Sequence, residues 1–423
     1  MQDFRGDPPI RRTARWRRSL RIATGMALVT PATFAAVGGL GGAAYAVTSV
    51  EANPNLGELT VKAQAGRVNN ISVTQKEDRL IVHDTRDTVA ASPTCTTIDA
   101  QTVACPSRGI FHVIIDAGDL NDQVTFDAAD EFEALTGTLL GGPGDDVLAL
   151  GPSATTGHLF GGQGNDLLKG GKSNDFLDGG EGADEFSGGG GTDFADYSNR
   201  DAPVVVKIDD TANDGKSGEG DNVHTDVENV IGGLSDDVLV GSRSNNNLNG
   251  GPGRDQLFGE LGDDALTGGL GDDSLNGGPG SDDLFGAEGD DSLEGGSGTD
   301  SDFFEGGDGA DTVSYSNRPD DIVADNNGQF DDGGNAGNER DNVRPTVESI
   351  RGGAGNDKLS ITAPGSALVR NVLSGDRGND RLVVRDGGPR DIAEGGPGTN
   401  SCVIDPDDKA TDCQLGGTAL RHP

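Results

Sequence analysis

The stretch GGPGSDDLF, Gly277 to Phe285, spends three glycines, one aspartate at its sixth position and one leucine at its eighth. GGLGDDSLN, Gly268 to Asn276, precedes it, and GAEGDDSLE, Gly286 to Glu294, follows. Glycine loses the most conformational freedom on folding and aspartate resists burial. A chain that repeats both every nine residues needs a compensating interaction that the repeat itself builds.

The register extends in both directions. Units start at Gly232, Gly241, Gly250, Gly259, Gly268, Gly277, Gly286 and Gly295. Their sixth positions are Asp237, Asn246, Asp255, Asp264, Asp273, Asp282, Asp291 and Asp300. Their eighth positions are Leu239, Leu248, Leu257, Leu266, Leu275, Leu284 and Leu293, with Asp302 breaking the run. An earlier block starts at Gly161, Gly170, Gly179 and Gly188, with Asp166, Asp175, Asp184 and Asp193 in sixth place. Isolated units place Asp146, Asp311, Asp357 and Asp380 the same way, after Gly141, Gly306, Gly352 and Gly375. A fixed short period of this kind means a solenoid.

Stereochemistry assigns each position a task. The glycine-rich first six residues turn tightly and let backbone carbonyls converge. The last three are too short for a helix but form a strand whose leucine points inward. Two units therefore close one flattened coil, and stacked coils bury a leucine column between two parallel sheets. Equivalent carboxylates then line up about 4.8 Å apart, one strand spacing, and repel unless a cation lies between them. Oxygen donors without sulfur or imidazole suit a hard cation, and many ligands at flexible distances suit calcium better than magnesium.

This pattern resembles the RTX (repeat-in-toxin, haemolysin-type) calcium-binding nonapeptide, here over residues 141–196, 232–314 and 352–383. The resemblance implies a parallel β-roll with several Ca2+ ions in its turns. It implies side-chain ligands at Asp255, Asp264, Asp273, Asp282 and Asp291, and likewise at Asp166, Asp175 and Asp184. The matching sixth positions Asp146, Asp193, Asp237, Asp300, Asp311, Asp357 and Asp380 complete the candidate metal set. Many family members leave the cell by an uncleaved C-terminal signal, whereas this chain begins differently.

Residues 1–46 hold seven of the 32 basic residues and two of the 71 acids. An uncharged run from Ile22 to Val50 follows, with AYA at Ala44 to Ala46. This predicts a secretory signal peptide cleaved after Ala46, leaving no membrane span in the mature chain. RRSLR at Arg17 to Arg21 leaves the export route, Sec or Tat, open. The mature part carries 25 bases against 69 acids. Such a field excludes nucleic acid and anionic membrane as general partners and makes small cations the natural counter-charge. With only 4% aromatic residues, the chain depends on that counter-charge to fold. Cys95, Cys105, Cys402 and Cys413 allow three connectivities, and spacings of ten and eleven favour two local loops.

The expected class is therefore all-β, a β-roll between a strand-rich N-terminal cap at 47–140 and a C-terminal part, 352–423, of degenerate repeats and a disulfide-closed cap. Repeat blocks occupy 141–196 and 232–314. Two similar acidic insertions, 197–231 and 315–351, each open on Tyr-Ser-Asn-Arg and lead back into the repeats 118 to 120 residues apart. They are expected to be solvated excursions, with Asp210, Asp214, Gly215 and Asp221 only partly imitating an EF-hand loop. DAGDLNDQVTF at Asp116 to Phe126 looks like a worn repeat, with Asp122 and Val124 in place.

No His-Glu-x-x-His helix and no Gly-x-Ser-x-Gly elbow occurs, and the five histidines are scattered. The expectation is a non-enzymatic, secreted calcium-binding protein whose folding is coupled to extracellular calcium. Its expected role is structural, at a surface or in adhesion. The alternative is a non-catalytic calcium-binding module that accompanies a secreted hydrolase or toxin.

Overall fold

The computed structural model describes residues 47–128, 135–152, 156–296, 300–329, 331–334, 340–362, 369–388 and 390–415. The leader expected at 1–46 lies outside them. The described residues form strands and turns without a helix, and none of their elements is a helix long and apolar enough to cross a membrane.

Parallel pairing dominates, with each strand bonded to the one a full coil away. A 14-stranded sheet runs along most of the molecule. Its inward column passes through Val61, Ile115, Leu139, Leu159, Leu177 and Ala195 in continuous register. It continues through Val230, Leu248, Leu266, Leu284, Phe304 and Val343. All twelve side chains are fully buried. Single leucines suffice because each packs on its neighbours above and below as well as on the opposite sheet, removing apolar surface worth about 25 cal/mol per Å².

The opposite wall is made in relays. A nine-stranded sheet carries Ile71, Val124, Leu148, Leu168, Phe186 and Val223. An eleven-stranded sheet then takes over with Val206, Leu239, Leu257, Leu275, Leu293, Val313 and Ile350. At the second insertion the long sheet ends, and a six-stranded sheet with Ala324, Leu359, Leu382 and Cys402 faces the eleven-stranded one. Each insertion is thus where one wall is exchanged for another.

The insertions are not solvated excursions. In the first, Asn222–Val223 and Asn229–Ile231 complete a coil of the roll, and Val204–Lys207 starts the next wall. The second repeats this with Asn342–Val343, Ser349–Arg351 and Ile322–Asp325. Their apolar residues Val223, Val230, Val343 and Ile350 are buried, so acidic composition did not prevent them from supplying core. Tyr197 and Tyr315 are buried too, and donate to Asp221 and Asp341 at 3.2 and 3.1 Å.

The N-terminal strands run into the roll without a break, since Glu58–Lys62 and Asn70–Lys76 already pair in parallel with His112–Asp116 and Gln123–Asp127. Disulfides join Cys95 to Cys105 and Cys402 to Cys413, at separations of 10 and 11 residues.

Candidate metal centre

The sixth-position aspartates form ladders along the two edges of the roll. The backbone N–H of each donates to the carboxylate of its equivalent one coil later. Asp146 donates to Asp166 Oδ1 and Asp166 to Asp184 Oδ1, at 2.7 and 2.8 Å. Asp237, Asp255 and Asp273 donate to Asp255, Asp273 and Asp291 Oδ1, each at 2.8 Å. On the other edge Asp175 donates to Asp193, and Asp264 to Asp282. Asp291 donates to Asp311, and Asp357 to Asp380. The aspartate is needed at that position because it satisfies an amide that the turn leaves unpaired.

The second carboxylate oxygen tells a different story. Oδ2 of Asp122, Asp146, Asp166, Asp184, Asp193, Asp255, Asp264, Asp273, Asp282, Asp291, Asp311 and Asp380 is buried without a hydrogen-bond partner. A buried, unpaired anionic oxygen costs several kcal/mol in its own right. Burial, reinforced by neighbouring carboxylates, pushes Asp122, Asp166, Asp193, Asp273 and Asp282 up to about 7 against the pull of the ladder amides. Asp146, Asp184, Asp255, Asp264, Asp311 and Asp380 rise, mainly through burial, to about 6. Rows of orphaned anionic oxygens beside glycine carbonyls, with no soft donor, fit a hard divalent cation. The aspartates whose Oδ2 has no partner would hold it, and calcium there would supply positive charge that the ladder amides do not.

Glycine at the second position sets this geometry. Gly269 has φ +123°, and a Cβ there would collide with the carbonyl of Gly251 in the coil below. That close approach brings carbonyls of successive turns together, which only glycine permits without strain.

Three other sequence candidates are placed differently. Asp175, Asp237 and Asp357 join the ladders, yet their Oδ2 accepts the N–H of Gly171, Gly233 and Gly353 in their own turns, at 2.6, 2.5 and 2.9 Å. Asp300 is a correction: it is exposed, and Asp302 takes its place in the ladder, accepting from Asp282 N–H at 2.9 Å. The turn after Gly295 is two residues longer than its neighbours, so burying Phe304 beside Leu284 brings Asp302 into the sixth-position role. The signal was present, because Asp302-x-Phe304 keeps the Asp-x-apolar spacing.

Several ladder members escaped the periodic reading. Asp221 and Asp341 accept from Asp184 and Asp302 N–H, both at 2.9 Å. Glu228 and Glu348 accept from Asp193 and Asp311 N–H, at 2.8 and 3.1 Å. Asp391 and Asp408 extend the ladder near the C-terminus. Asp122, recognised in the worn repeat, accepts from Asn69. The EF-hand imitation does not form, since Asp214 accepts from Lys207 and Val223 N–H and Asp210 accepts from Thr225. Among the described residues, Asp325, Asp331 and Asp332 bring three ligand atoms within 4.8 Å of one another, but both Asp332 oxygens already accept backbone amides.

Comparison with family models matches the RTX calcium-binding nonapeptide repeat (4 copies) at residues 160–195, 231–266, 267–301, 298–316 and 347–360. No curated protein matches the chain. The matched segments hold most of the aspartates of the carboxylate ladders, and the part of the chain built from these repeats is a calcium-binding β-roll of RTX nonapeptide repeats.

Proposed function

We propose that the protein is an exported, non-enzymatic scaffold whose folding is coupled to extracellular calcium, serving as a structural, surface or adhesion component. The observation that carries this reading is the row of buried Oδ2 atoms without partners in successive turns. Without a cation, these charges oppose burial of the leucine columns and favour the expanded chain. With calcium at ten times a site's dissociation constant, each ion stabilises the roll by about 1.4 kcal/mol. In a low-calcium interior the chain stays expanded and ready for export, and outside it closes into a stiff roll. The basic and apolar residues 1–46 support export, as do two disulfides, which persist in oxidising compartments.

The test is far-UV circular dichroism of residues 47–423, purified with chelator and titrated with calcium or magnesium. A cooperative gain of strand signal near millimolar calcium, absent with magnesium, is expected. A chain fully folded in chelator and unmoved by calcium rejects the coupling.

A further inference from the structure

The nonapeptide turns exist in two backbone states, told apart by the φ of the second residue. In most turns that residue has a left-handed φ: Gly162 +118°, Gly180 +95°, Gly251 +98°, Gly269 +123° and Gly307 +125°. Even non-glycine residues adopt it there, with Glu260 at +73° and Ala287 at +89°. In these open turns the sixth-position Oδ2 has no partner, as in Asp166, Asp184, Asp255, Asp264, Asp273, Asp291 and Asp311.

Four turns differ. Gly171, Gly233, Ser242 and Gly353 are not left-handed, and their N–H groups turn inward to cap Asp175, Asp237, Asn246 and Asp357 of their own turns, at 2.5 to 2.9 Å. In these turns the amide binds the side-chain oxygen that in the open turns has no hydrogen-bond partner. Two residues of the third such turn corroborate this: its second residue is Ser242, which needs no left-handed freedom, and its sixth is Asn246, which brings no charge.

Each capped turn follows a neighbour that is not a nonapeptide. The ladder amide reaching Asp175 comes from Gly157, that reaching Asp237 from Val204, and that reaching Asp357 from Ile322. Asn246 donates to the carbonyl of Glu228. At the two insertions the neighbouring segment is Tyr-Ser-Asn-Arg, whose last carbonyl, of Arg200 or Arg318, accepts from Leu234 or Ala354 at 2.8 or 2.9 Å. In three of the four, the residue one coil earlier, Gly157, Val204 or Ile322, brings no carboxylate to the shared space, and in the fourth Asn246 itself brings none, whereas open turns that border an insertion, those of Asp184, Asp193 and Asp311, meet Asp221, Glu228 and Glu348 there. The insertions also bring their own positive charge. Arg318 is buried against Asp320 and the carbonyl of Gly296, and the Arg200 guanidinium lies 5.8 Å from the Tyr197 ring and 3.9 Å from Glu219.

We infer that the four capped turns, 170–175, 232–237, 241–246 and 352–357, hold no calcium, so that the ion rows are interrupted at fixed places where the protein's own amides replace the metal. This rests on the calcium-coupled reading above and deepens it. The open turns then fall along the chain into four runs, ending at Asp166, Asp193, Asp311 and Asp380, separated by ion-independent turns.

The test compares Asp237→Asn with Asp255→Asn in the purified chain. Bound calcium is counted by atomic emission after dialysis, and the folding midpoint is read by circular dichroism. Asp255→Asn is expected to lower the count and weaken the affected site about tenfold, the effect of losing about 1.4 kcal/mol. Asp237→Asn can accept only one of the two amides, of Val204 and Gly233, that the carboxylate accepts, so its folding midpoint shifts, and the calcium count alone decides: it is expected to stay at the wild-type value. Equal loss in both variants overturns the inference. Loss in neither, with a wild-type chain that ignores calcium, rejects the calcium-coupled reading instead. If Asp237→Asn does not fold, the pair Asp357→Asn and Asp380→Asn, placed after the second insertion, decides by the same criterion.

Discussion

Asp273 Oδ1 accepts the backbone N–H of Asp255, eighteen residues earlier, at 2.8 Å, while its Oδ2 is buried with no hydrogen-bond partner. One carboxylate thus has two separable duties. The first pins a coil to its neighbour with a charge-assisted hydrogen bond, and the second presents an uncompensated charge to the turn.

Substitution separates them. Asp273→Asn retains an acceptor for the Asp255 amide and removes the charge, so the calcium-free chain gains or keeps stability while the calcium midpoint rises. Asp273→Ala also leaves the Asp255 amide unsatisfied and costs a further ~1–3 kcal/mol. Thermal melts with calcium and with chelator distinguish the two. Identical behaviour of Asn and Ala variants contradicts the division.

The pH response of the calcium-free roll follows from the raised carboxyls. Asp122, Asp166, Asp193, Asp273 and Asp282, pushed by burial to about 7, bind protons in the folded state at pH values where the unfolded chain, with Asp near 3.9, has released them. The folded state binding more protons means that stability falls as pH rises between about 4 and 7. In chelator, strand content at pH 5 is expected to exceed that at pH 8. Calcium must displace those protons, so adding calcium near pH 6 releases acid and its midpoint rises as pH falls. Titration of the released protons at constant pH checks this, and a calcium-free chain better ordered at pH 8 contradicts it.

The left-handed positions of the turn, its second and fourth, predict opposite outcomes for opposite substitutions. Gly271, at the fourth position, also has φ +126° and faces the carbonyl of Gly253, so Gly271→Ala adds strain and a backbone collision and costs about 3 kcal/mol or more. Ala287 already sits at φ +89°, so Ala287→Gly relieves about 1 kcal/mol. Melting in saturating calcium reads both, and a stabilising Gly271→Ala would falsify the argument.

Tyr197 and Tyr315 each donate a buried hydroxyl to a ladder carboxylate, Asp221 and Asp341. Tyr197→Phe and Tyr315→Phe should each cost ~1.5–3 kcal/mol, because a hydrogen bond to a charged group is lost in the interior. The two sites lie in separate coils, so the double variant should show the sum. Urea unfolding in calcium measures it, and a double variant no worse than either single one contradicts independence.

The sequence by itself determined the period, the inward leucine, the outward turn and the hard-cation chemistry, because all four depend on residues within one nonapeptide. It determined less where partners lie a coil or more apart. Gly170-Gly171 and Gly188-Gly189 read alike, yet Gly189 has φ +95° and Gly171 caps Asp175. Asp300 holds the periodic place, but Asp302 reaches the amide of Asp282. Asp221 and Glu228 look like part of an acidic linker, and they accept the ladder amides of Asp184 and Asp193 from 37 and 35 residues away. These outcomes belong to the tertiary structure for one physical reason: which way a peptide turns, and which carboxylate it meets, depends on the coil stacked against it.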